Sequence, residues 1–111
     1  FLVSDAMSTV GSDQTSFTLN GRTIYRSEGR LCLADGTLAG ADIALIDAVR
    51  HLHRALRVPL DQALHLASKA PAEAMGLADR GHLHAGACAD FFCLTPEITC
   101  SGTWISGARA A

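Results

Sequence analysis

Apolar and polar positions change their period several times along this chain, and each change predicts a different element. Phe1-Leu2-Val3 is a continuous apolar run ended by Ser4-Asp5, the pattern of a strand buried on both faces. The polar stretch from Ser8 to Ser16 is expected to cross the surface. Phe17 and Leu19 then alternate with Thr18 up to Asn20-Gly21, a dipeptide suited to a two-residue hairpin because both central positions of that turn need positive φ. Thr23 to Tyr25 make the return strand, and Ser27-Glu28-Gly29 turns the chain into Leu31-Cys32-Leu33, closed by Asp35-Gly36. Residues 17 to 34 therefore predict a three-stranded meander.

From Asp42 the period becomes helical. Ile46, Val49, Leu52, His53 and Leu56 share one stripe, with Asp47, Arg50 and Arg54 largely opposite, which predicts an amphipathic helix with Asp42 as N-cap and its end near Arg57. Pro59 stands where a second helix begins, with Leu60, Leu64 and Ala67 on its buried side. Pro71 predicts a break before a short third helix capped by Gly76. Beyond Asp79 the pattern returns to strand at Phe91-Phe92-Cys93-Leu94 and Gly102-Thr103-Trp104-Ile105, where Trp104 is expected to pack.

Composition narrows the function. The 111 residues suit one modest domain, less than half of the roughly 250 an eight-stranded barrel needs. A formal net charge of -2 leaves no basic footprint for nucleic acid, and no apolar run approaches a membrane span. The N-terminus carries no basic signal-peptide region, so a soluble, cytoplasmic protein is expected. Cys32, Cys88, Cys93 and Cys100 match neither a redox motif nor paired zinc knuckles and read as buried free thiols. His51 and His53 diverge on a helix. His82 and His84 would share a face of a strand, and His65 has no evident partner, so no histidine is assigned to a metal.

Four segments carry a family resemblance over nearly the whole chain. Phe1-Leu2-Val3-Ser4-Asp5-Ala6 resembles the last barrel strand of the amidohydrolase superfamily, in the form found in N-acetylglucosamine-6-phosphate deacetylases. Asp35-Gly36-Thr37-Leu38-Ala39-Gly40 resembles that deacetylase family's own signature, and it alone of the four separates the family from its cousins. Pro71-Ala72-Glu73-Ala74-Met75-Gly76-Leu77 is similar to the helix pair that closes such barrels. Gly81-His82-Leu83-His84-Ala85-Gly86 and Ala89-Asp90-Phe91-Phe92-Cys93-Leu94 resemble the return into the small β-sandwich beside the barrel. Ala87-Cys88 depart from the basic residue often found after the glycine at Gly86.

The resemblance implies an α+β fragment: the last strand and helices of a (β/α)8 barrel with a β-meander over residues 1–80, then C-terminal sandwich strands over 81–111. It implies a hydrolase that removes acetate from N-acetylglucosamine 6-phosphate, a small-molecule amino-sugar phosphate, with Asp5 as catalytic general base and then acid. Leu38, Ala39, Gly40 and Ala41 are expected to form the substrate-binding loop at the helix entry. A divalent metal, zinc or similar, is implied for the full-length enzyme, its ligands lying before Phe1, so this chain is expected to bind none and to be inactive alone. Bare strand edges and the Ile46, Val49 and Leu56 stripe imply a homo-oligomer. Another amidohydrolase acting on a different amide, or a non-catalytic folding or association module, are the alternatives.

Overall fold

The computed structural model describes residues 1–110. Two compact units emerge, one from Val3 to Ala48 and one that gathers Phe1–Leu2 with the chain from Val49 onward.

The first unit is a four-stranded antiparallel sheet in chain order: β1 (Ser16–Leu19), β2 (Arg22–Ser27), β3 (Arg30–Leu33) and β4 (Leu38–Ala41). The predicted hairpins form as expected. Asn20 and Gly21 sit at φ 51 and 73, and Glu28 and Gly29 at φ 50 and 76, the paired positive values of two-residue turns that match strand twist. Pairing of Ile24 with Leu33, and of Arg26 with Leu31, sets the register. One face then buries Ile24 and Leu31 while Thr23 and Tyr25 point to solvent.

Residues 38–41 depart from expectation. They are a fourth strand rather than a loop, because Leu38 pairs with Cys32 and Gly40 with Leu31, with a bulge that leaves Ala39 between them. The turn before β4 is held by Asp35, whose Oδ1 accepts the Thr37 N–H at 2.9 Å. That bond holds the Asp35 carboxyl below its ordinary range.

Helix α1 (Leu45–Arg54) starts three residues after Asp42, which is not its cap; Asp47 instead accepts the Ala44 N–H at 2.9 Å. The expected strand at Phe1–Val3 does not form a ladder. Phe1 and Val3 are 66% and 72% exposed, and Leu2 N–H bonds Leu66 O at 2.8 Å. A strand buried on both faces needs neighbours on both edges, and among the described residues Phe1–Val3 has no ladder partner, the parallel bridge from Ala6 to Ala41 lying beyond it. The stretch 8–16 is not wholly superficial either, since Thr9 is fully buried.

In the second unit, α2 (Leu60–Ala67) follows Pro59 as predicted, and its most buried residue is Ala63. The break before α3 (Lys69–Ala74) falls at Ser68, where ψ is -70 with φ at -132, so Pro71 lies inside the first turn of α3. There its missing N–H removes no helical bond. Gly76, at φ 71, caps α3 as expected, with Leu77 N–H returning to Ala72 O at 2.9 Å. Helix α1 ends similarly around Arg57 at φ 59, with Val58 N–H on Leu52 O at 3.0 Å.

A three-stranded antiparallel sheet completes this unit: β5 (Phe91–Leu94), β6 (Cys100–Ile105) and β7 (Ala108–Arg109). Phe91 stacks on Trp104 with ring centroids 5.0 Å apart, and Arg109 lies over the same indole. Arg50 and Arg54 of α1 reach the β5–β6 turn, bonding Ile98 O at 3.0 Å and Glu97 O at 2.9 Å. The turn is tight enough to hold buried Ile98 at φ 59, a conformation β-branched residues rarely adopt.

His82 and His84 are not on a strand. They lie in the irregular 78–90 segment, their rings 4.8 Å apart, with His82 Nε2 on Ala78 O at 2.9 Å. The thiols are free but not buried: Cys93 and Cys100 are exposed and the other two half-buried, since β5 and β6 form a sheet only three strands wide.

Candidate functional site

Asp5 is exposed at the end of the N-terminal apolar run, in the left-handed region at φ 51. Few residue types tolerate that conformation, aspartate among them, and it persists only where the surroundings impose it. Here they do. The Asp5 carbonyl accepts the Ala41 N–H at 3.0 Å, and the next residue, Ala6, bridges Ala41 in parallel. The structure thus brings together the two parts of the site predicted from sequence, Asp5 and the strand Leu38–Ala41.

Gly40 makes that approach possible. A Cβ at this position would lie 2.8 Å from Met7 Sδ, 2.9 Å from Met7 Cγ and 3.1 Å from the Asp5 carbonyl oxygen. A glycine is required here for close approach, not for backbone freedom, since its φ is not positive. Leu38, at the outer end of the strand, is 64% exposed, and Ala39 is half-buried. The Ala41 amide is already committed to Asp5. Helix α1 begins farther on, so its N-terminal amides are not those of residues 38–41.

Three further residues complete the arrangement: Met7 and Arg26, which the sequence did not single out, and Asp42, which it offered only as a helix cap. Arg26 donates from Nε to Asp42 Oδ2 at 2.5 Å, and from Nη1 to Ser12 O at 2.7 Å. The Asp42 side chain is only 8% exposed, and its Oδ1 has no partner among the described residues. A carboxylate in such a place depends on its cation, because desolvation is uncompensated without it. One signal was available in the sequence: β2 alternation places Arg26 on the same face as Ile24, where a charged residue demands an explanation.

The histidines do not join this site. Among the described residues no three of His, Cys, Asp and Glu converge as metal ligands. Away from the site, Cys88 Sγ donates to Asp79 Oδ2 at 2.9 Å. That hydrogen bond lowers the Asp79 pKa and raises that of the thiol, the opposite of nucleophile activation.

No family model matches the chain. Over 109 residues it is 33% identical to an N-acetylglucosamine-6-phosphate deacetylase of Haemophilus influenzae, covering 96% of this chain and 29% of that protein. Over 106 residues it is 34% identical to an N-acetylgalactosamine-6-phosphate deacetylase of a Shewanella species, covering 96% of this chain and 27% of that protein. The crystal structure of the Pasteurella multocida N-acetylglucosamine-6-phosphate deacetylase superimposes with a TM-score of 0.91 at 32% identity, over 98% of this chain and 29% of that one. A Mycobacterium smegmatis deacetylase variant, solved in complex with N-acetyl-D-glucosamine-6-phosphate, gives a TM-score of 0.78 at 27% identity, over 96% and 29% of the two chains.

These relatives define a class, the hydrolases that deacetylate amino-sugar phosphates. Over nearly its whole length the chain is similar to N-acetylglucosamine-6-phosphate deacetylases, and it spans a little under a third of the length of the relatives named above.

Proposed function

We propose that this chain is the C-terminal part of a metal-dependent N-acetylglucosamine-6-phosphate deacetylase, in which Asp5 is the general base and then the general acid. The observation that carries the reading is the seating of Asp5 on β4. The Ala41 N–H holds the Asp5 backbone, and the strand that does so begins within the segment resembling the family signature. Asp5 would take a proton from the attacking water and deliver it to the leaving nitrogen, two steps that one exposed carboxylate can perform in turn. Leu38, Ala39, Gly40 and Ala41 would border the sugar through their small side chains and backbone. The divalent metal, which would acidify the water, belongs in this reading to residues outside this chain.

Residues 1–80 correspond in this proposal to the end of a barrel and 81–111 to sandwich strands. The protein would be cytoplasmic; among the described residues no helix is long and apolar enough to cross a membrane. A homo-oligomer remains part of the proposal, but not through the whole stripe first expected. Val49 is 2% exposed and already buried within the chain, whereas Leu56 is 60% exposed.

The test is acetate release by the full-length protein and its Asp5→Asn variant, with N-acetylglucosamine 6-phosphate and N-acetylgalactosamine 6-phosphate as competing substrates. The expected outcome is preference for the former and a loss of about 10²- to 10⁴-fold in kcat for the variant. A variant that turns over like the parent would remove Asp5 from the mechanism. Preference for the galactosamine epimer would reassign the substrate.

A further inference from the structure

The ion pair of Arg26 with Asp42 joins parts of the chain that local sequence does not connect. Arg26 is on β2, Asp42 follows β4, and the register places Arg26 opposite Leu31 and Leu31 opposite Gly40. Arg26, Leu31 and Gly40 therefore form one row across the same face of the sheet. The Asp5–Met7 turn lies against the Gly40 end of that row, with the Ala41 amide on Asp5 and Met7 packed where a Cβ would stand.

The other end of the turn is tied down by the same arginine. The Arg26 guanidinium donates to Ser12 O at 2.7 Å and Gln14 O at 3.5 Å, and its backbone N–H donates to Thr15 O at 2.8 Å. Between these points and Asp5, Val10 N–H returns to Met7 O, and both the N–H and the hydroxyl of Ser12 bond the carbonyl of fully buried Thr9. One side chain thus anchors the loop that follows Asp5 and the carboxylate that follows β4. An exposed ion pair would contribute little to such an arrangement, but a carboxylate 8% exposed has no comparable alternative partner in water.

We propose that Arg26 and Asp42 are positioning residues for the deacetylation: together they clamp the 5–15 segment onto β4 and hold Asp5 in its left-handed backbone conformation. This rests on the reading of Asp5 as the catalytic carboxylate, and it goes beyond that reading by assigning a task to two residues that touch no reacting atom. If the clamp opens, Asp5 keeps its chemistry and loses its place. Misplacement by about 1 Å can cost on the order of 10²-fold in rate without weakening substrate binding comparably.

The experiment uses the full-length protein with Arg26→Gln, Arg26→Lys and Asp42→Asn, the last preserving shape. Two quantities are read: amide hydrogen exchange at Ala41, and kcat and KM for acetate release from N-acetylglucosamine 6-phosphate. For Arg26→Gln and Asp42→Asn, Ala41 exchange is expected to accelerate at least about 10-fold, with kcat falling by about 10- to 100-fold and KM within about three-fold of the parent. Arg26→Lys, which keeps the charge and loses the fork, should recover part of both. Parent-like protection of Ala41 in both neutral variants would overturn the clamp whatever the activity. Accelerated exchange with undiminished kcat would overturn its part in the reaction. Failure of the underlying reading shows elsewhere, as full activity in Asp5→Asn, so the two failures cannot be confused.

Discussion

Gly40→Ala adds one methyl group and should disturb both stability and chemistry. The new Cβ would meet Met7 Sδ at 2.8 Å, Met7 Cγ at 2.9 Å and Asp5 O at 3.1 Å. All three contacts are shorter than ordinary van der Waals separations. Met7 is unbranched and can swing aside, so the first two contacts are partly relieved by a rotamer change. The third involves backbone, and relieving it lengthens the Ala41 N–H to Asp5 O bond, now 3.0 Å. Overpacking of this kind costs about 1–3 kcal/mol. Urea unfolding of the full-length protein should show a lower midpoint with an unchanged slope, and kcat should fall more than KM rises. A second variant isolates the cause: in a Met7→Ala background the sulfur and Cγ are gone, and Gly40→Ala should lose about half of its penalty. Equal penalties in both backgrounds, or no penalty in either, would refute the close-approach explanation for this glycine.

Two further outcomes are expected. Gly81, at φ 77, would place a Cβ 2.6 Å from Lys69 Cα, so Gly81→Ala combines left-handed strain with a backbone clash. It should destabilise by more than about 2 kcal/mol in the same urea titration. Cys88, whose thiol pKa is raised above its ordinary value chiefly by the hydrogen bond to Asp79, should alkylate more slowly with iodoacetamide at pH 8 than exposed Cys93 and Cys100. A raised thiol pKa favours the protonated form on folding, so its contribution is present below the ordinary value and is lost as pH rises through the folded one. Asp79 is depressed by the same bond, so its contribution is lost as pH falls through its own folded value below 3.8. Cys88→Ala should abolish both effects, read by the Asp79 carboxyl titration in NMR.

Local chemistry alone was enough to place the hairpins and most of the helices. Asn20-Gly21 and Glu28-Gly29 specify their turns through positive φ, which depends on residue type and not on what packs nearby. Pro59 and Gly76 mark helix boundaries for the same kind of reason. The resemblance to amino-sugar phosphate deacetylases was also legible, because a short motif is carried by contiguous residues. What failed was whatever depended on a distant partner. Phe1–Val3 has the composition of a buried strand, yet strand formation is a property of pairs, and among the described residues the bridge nearest to it is at Ala6.

Asp42 shows the same limit from the other side. Beside a helical run, an aspartate satisfies every local criterion for an N-cap. The choice was made by Arg26, sixteen residues earlier, whose guanidinium binds Asp42 on the inner side of the sheet. Leu38–Ala41 likewise carries no strand pattern of its own, since its small residues suit loops as well as ladders. It became β4 because β3 offered a free edge and because Gly40 lets Met7 lie against it. Backbone torsions and motifs are written in consecutive residues and can be read there. Which charge is buried, which edge is paired and which backbone approaches another are settled only when segments far apart in the chain compete for the same hydrogen bonds and the same space.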